Sequence, residues 1–121
     1  MKNPKVKIRP FLLSDGACEY DKQHWDNATL FEAVKGLKPY DLQLSALDLG
    51  VTVWKDGDYV SNLLFHMKRI QEADMSYPII QHPDGWILDG WHRICRAILE
   101  GRTTIKCVRL EKMPPPDSED K

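Results

Sequence analysis

The stretch Trp86-Ile87-Leu88-Asp89-Gly90-Trp91-His92-Arg93 constrains the fold of this chain more than any other. A short apolar strand runs into an Asp-Gly turn. The residues that follow place Trp91, Ile94, Cys95 and Ile98 at helical spacing. A strand that passes directly into a helix requires a sheet with that helix packed on it, so the chain is expected to mix the two. The same turn is suited to holding phosphate. The first amides of a helix lack internal partners, and the dipole there is positive. Gly90 lets an anion come close to the backbone, and His92 and Arg93 add donors. The plain alternative is a solvated helix start with Asp89 as N-cap and no ligand.

Around this turn the other elements fall into order. Residues 6–11 read as a short strand confined to an edge by Pro10. Ser14-Asp15-Gly16 signals a turn, and Thr29-x-x-Glu32 has capping-box spacing before a short helical run over 30–34. Tyr40, Leu42 and Leu44 alternate, which predicts a strand ending near Ser45. A loop is expected around residues 55–58. Val60, Leu63, Leu64, Met67, Ile70 and Ala73 then recur at threes and fours, which predicts a helix with Asp58 or Ser61 as cap and that apolar row facing a sheet. Residues 77–81 and 86–88 read as a hairpin turning at His82-Pro83-Asp84-Gly85, residues 90–100 as a helix ended by Gly101, and residues 103–110 as a β-branched strand. The Pro-rich acidic tail reads as disordered. The expected fold is a single α+β domain with a small mixed sheet and packed helices. Residues 1–39 form an N-terminal extension packed on the core, residues 40–111 the main domain and residues 112–121 the tail.

Composition narrows the function classes. The 121 residues carry 17 basic and 18 acidic side chains, a formal net charge of −1, which argues against a broad nucleic-acid-binding surface. Cys18, Cys95 and Cys107 are odd in number and contain no C-x-x-C, so neither a disulfide framework nor a structural zinc site is expected. The cluster Cys18, Asp21, His24 and Asp26 matches no strong metal pattern, and no metal ligands are assigned. No apolar run has transmembrane length and no signal-peptide core follows the first residues, so a cytoplasmic protein without a membrane partner is expected.

The residues Pro78-Ile79-Ile80, Asp84-Gly85, Ile87-Leu88-Asp89-Gly90-Trp91-His92-Arg93, Ala97, Gly101 and 105–108 together resemble the core of the ParB/sulfiredoxin superfamily in its Asp-Gly-x-His-Arg form. The resemblance covers about residues 40–111. It implies a ParB/sulfiredoxin-like fold that binds ATP, ADP or CTP, with Asp89, Gly90, Trp91, His92 and Arg93 at the phosphates. Sulfiredoxins carry a cysteine where this chain has Trp91, so sulfinyl-phosphate chemistry is not expected. No Gln-Pro-Arg of the partition proteins is present either.

The leading expectation is a nucleotide-binding domain that hydrolyses or transfers a phosphoryl group, with Asp89 and His92 as catalytic residues and Arg93 as clamp. Mg²⁺ would come with the nucleotide, Asp89 being the nearest carboxylate. The alternatives are a non-catalytic phage or plasmid accessory module binding a protein through Trp25 and Phe31, and a DNA-acting ParB-like nuclease. Trp54 and Trp86 read as core or rim residues, with stacking on a base as the alternative, His66 as a structural side chain and His82 as a surface turn residue. Lys68, Arg69, Arg93, Arg96 and Arg102 would form a basic patch if their two helices are neighbours.

Overall fold

Side-chain alternation and helical spacing resolve, in the computed structural model, into an ordered series of elements over the described residues 3–11, 17–20, 22–54 and 59–120. These are β1 (Ala17–Tyr20), β2 (Gln23–Asp26), α1 (Asn27–Ala33), β3 (Tyr40–Gln43), a 3-10 turn (Leu44–Ala46), α2 (Val60–Gln71), β4 (Ile79–Gln81), β5 (Ile87–Asp89), α3 (Trp91–Leu99), β6 (Thr104–Arg109) and β7 (Ser118–Glu119). The chain is a small α+β protein with three α-helices and two sheets among the described residues. The expected turn at 14–16, the loop at 55–58, the Asp58 cap and the Asp21 position lie outside the described residues.

The main sheet is mixed, in the order β3-β6-β4-β5. β6 is antiparallel to β3 and parallel to β4, and β4 and β5 form the expected hairpin around His82–Gly85. Successive strand residues face opposite sides of a sheet, and Ile79 and Ile80 divide the core accordingly. Ile79 joins Ile87, Ile105, Cys107 and the α3 residues Ile94 and Ala97. Ile80 joins Cys18, Trp25, Leu30 and Leu110 beneath β2 and α1. Each fully buried Leu or Ile contributes about 1.5–3 kcal/mol. A polar tie crosses the sheet: the Tyr40 hydroxyl donates to Gln81 Oε1, and Gln81 Nε2 donates to the Gly85 carbonyl at 2.6 Å.

Several expectations change at this level. Residues 6–11 form no strand, and Pro10 has no amide to pair. Arg9 instead lies over the Phe65 ring at 3.7 Å, and Arg69 over the Phe11 ring at 3.6 Å. Helix α1 begins at Asn27 rather than Leu30, so Thr29 is inside it and caps nothing. Its hydroxyl donates to Asp117. That bond belongs to the tail, where the expected disorder gives way to order: β7 pairs antiparallel with β2, and Trp25 Nε1 donates to the Pro114 carbonyl at 2.8 Å. A backbone strand offered to the open edge of β2 satisfies amides and carbonyls that would otherwise face water.

Ser61 likewise sits inside α2, behind an N-cap at Tyr59. The apolar row on α2 does not face the sheet. Val60, Leu63 and Met67 are 72%, 52% and 47% exposed, while Phe65, His66 and, just beyond the helix, Ala73 are buried. The face turned inward is the one that meets α3. Arg96 crosses from α3 to the Gln71 and Ala73 carbonyls, at 3.0 and 2.8 Å. His82 is buried rather than exposed, stacked on Trp86 with centroids 4.4 Å apart.

Candidate functional site

The turn from β5 into α3 gathers the residues singled out by sequence. Asp89 ends the strand, and Gly90, not Asp89, is the N-cap of α3. Gly90 has φ +118°, a left-handed conformation that favours glycine. A Cβ there would also lie 2.3 Å from Ile79 Cγ2. The missing side chain therefore serves close packing of the turn on β4. Having no side chain, Gly90 leaves the first-turn amides of α3 without a cap of its own.

Arg93 is not the free clamp that was expected. Its Nη1 donates to the carbonyls of Tyr77 and Pro78 at 2.8 and 2.7 Å, and its Nη2 to Asp89 Oδ2 at 2.5 Å. The pair is largely enclosed, with side-chain exposures of 13% and 18%. Arg93 thus fastens the start of α3 to the segment that leads into β4. Asp89 is its counter-ion. One oxygen of Asp89, the Oδ2, is held by this guanidinium. Among the described residues no group of three or more His, Cys, Asp or Glu side chains is placed to hold a metal ion.

His92 turns toward α2. Its Nε2 lies 2.9 Å from His66 Nδ1, one ring nitrogen donating and the other accepting. Trp54 covers both imidazoles, stacked at 4.5 Å on His66 and 4.6 Å on His92. His66 and Trp54 are the site residues that sequence reading missed. His66 was visible only as a polar residue on the border of the α2 apolar row, and nothing in its spacing linked it to His92, 26 positions later. Trp91 is half-buried and packs against the Ile79 cluster. The structure therefore brings Asp89, Gly90 and Arg93 together as one locked turn, and His92, in the same first turn of α3, joins His66 and Trp54 in an aromatic stack.

Burial pushes the Cys95 and Cys107 thiols above the ordinary cysteine value, which disfavours their thiolates. Trp25 is 2% exposed and cannot anchor a partner, whereas Phe31 is exposed. Among the described residues no helix is long and apolar enough to cross a membrane. Searches against family models, curated proteins and solved structures returned no match.

Proposed function

We propose that this chain is a ParB/sulfiredoxin-like nucleotide-phosphate-binding protein whose ligand meets the opening turn of α3. One observation carries this reading: α3 starts on a glycine that supplies no cap, in a turn held rigid by Arg93 and flanked by the His66–His92 pair. A preset turn of this kind offers backbone amides to phosphate with little reordering, which favours binding. With Asp89 engaged by Arg93, the reading is one of binding rather than phosphoryl transfer.

The test is calorimetric titration of the full chain with ATP, ADP and CTP, with and without Mg²⁺. Binding is expected, and His92→Ala should weaken it by about 1–3 kcal/mol, the range for a hydrogen bond to a charged group together with its desolvation. Absence of heat with all three nucleotides at millimolar concentration overturns the reading.

A second reading, a binding module without nucleotide, draws on the exposed Val60, Leu63, Leu64 and Met67 of α2. Their i, i+3, i+4, i+7 spacing suits pairing with the same helix of a second copy. Sedimentation that depends on concentration, and is abolished by Leu63→Glu, would support it; monomers throughout would remove it.

A further inference from the structure

The segment that carries β7 joins the main sheet through a narrow attachment. β6 ends at Arg109, and the Leu110 amide still donates to the Gln81 carbonyl at 2.9 Å. Glu111 and Lys112 then form an exposed bend outside every helix and strand. Residues 113–120 beyond that bend are seated on β2 and α1. We propose that β2 and α1 are an acceptor site for residues 113–120 of a second copy of this chain, so that two copies exchange this segment reciprocally about the bend at Glu111 and Lys112.

The chemistry of the occupant is known because the structure shows it seated in cis. Met113 packs against the cluster that holds Trp25 and Leu30, and Trp25 Nε1 donates to the Pro114 carbonyl. The Asp26 amide and the Thr29 hydroxyl converge on the Asp117 carboxylate at 2.8–2.9 Å. Gln23 and Glu119 are register partners, with side chains bonded at 2.9 Å. The Asp120 amide donates to the Lys22 carbonyl at 2.7 Å, and His24 Nε2 lies 3.2 Å from Asp120 Oδ1. A second copy carries the same acceptors and the same segment. Reciprocal exchange therefore restores each of these bonds across the pair and closes as a two-fold dimer.

Two features make the seated segment releasable. Residues 117–120 are all exposed and are held by polar contacts, and segments of that kind open at the low end of local stability. Pro114-Pro115-Pro116 fixes φ and lacks amides, which keeps a released segment extended and reaching away from its own chain. Once it leaves, the edge of β2 and the Trp25 indole regain partners only when a strand docks again. The chain's own segment competes at an effective concentration of about millimolar, so exchange is rare in dilute solution and grows with protein concentration. The site lies away from the α3 turn and from the apolar row of α2, and it depends on neither nucleotide binding nor pairing of α2.

The experiment traps the exchange between two full-length variants, Gln23→Cys and Glu119→Cys. Each holds half of one register pair, so a disulfide between positions 23 and 119 forms only between copies. The variants are mixed with oxidised glutathione as the electron acceptor, and heterodimer is measured by mass. Its yield should rise with protein concentration. At about 0.1 mM it should exceed by about tenfold the yield from Gln23→Cys mixed with Lys106→Cys, because a docked strand presents its thiol at about millimolar. Lys106 is exposed on β6, and that control carries the same native thiols. A single chain with both Gln23→Cys and Glu119→Cys should close on itself in dilute solution. Equal yields in the two mixtures overturn the proposal, as does failure of the doubly substituted chain to close, which would mean that β2 and β7 are not paired. Leu63→Glu in both partners should leave the yield unchanged; its loss would place the contact between copies at α2 and overturn the exchange.

Discussion

Gly90 answers to two constraints, its positive φ and the approach of Ile79. Gly101 also has positive φ, but a Cβ there meets nothing within 4 Å. Alanine at the two positions therefore separates backbone strain from steric overlap. Gly101→Ala should cost about 1 kcal/mol, and Gly90→Ala about 1–3 kcal/mol more, in urea denaturation. Equal losses would mean that Ile79 moves aside freely. The turn containing Gly90 was legible in the sequence because its residues are contiguous and glycine has few reasons to be there. The role of Arg93 was not, because the acceptors that occupy it are backbone carbonyls at 77 and 78, and a carbonyl leaves no trace in residue type. His92 was read correctly as a polar side chain of the first turn, but its partner His66 comes from another helix.

Among the elements, the tail departs most from its composition. Residues 113–120 are rich in proline and acid, which reads as disorder, yet their use depends on a partner far back in the chain. Asp117 accepts from the Asp26 amide and the Thr29 hydroxyl at the start of α1. These donors hold its carboxyl below the usual aspartate value. A carboxyl depressed on folding contributes stability at pH values above its unfolded pKa, about 3.9, and that contribution is lost as pH falls through the folded value. Docking of the tail should accordingly weaken below about pH 4. Trp25 emission should then shift to the red as the Pro114 contact opens. Asp117→Asn should show the red-shifted signal already at neutral pH; an unchanged spectrum would deny Asp117 a part in docking. Helix α2 shows the complementary difficulty. Its period was read correctly, and its bounds lie close to expectation, but the inward face was assigned by hydrophobicity. The contact with α3 runs instead through His66 and through Arg96 reaching the Gln71 carbonyl at the end of α2 and the Ala73 carbonyl just past it. Polar contacts between helices have no periodic signature.

Over the whole molecule, the mixed sheet and its order of strand, helix, hairpin, helix and strand could be read in advance, because each element has a local pattern. The three-stranded second sheet could not, since β1, β2 and β7 are short and two of them precede the expected core. The two apolar clusters share β4 through the adjacent residues Ile79 and Ile80, both buried. Disruption of either cluster must therefore be felt by the other. Leu30→Ala and Ile94→Ala, on opposite sides of the sheet, should each cost about 2–5 kcal/mol, and each should shift one common unfolding transition. Two separate transitions in either variant would show that the N-terminal layer melts independently.

The pairing of β2 with β7 has a kinetic consequence. The side-chain bond between Gln23 and Glu119 joins positions 96 residues apart, so closing that strand edge means closing a loop of that length. During synthesis, the indole of Trp25 must wait for Pro114 to leave the ribosome before its carbonyl acceptor exists. Strand β2 is thus sealed long after it is made.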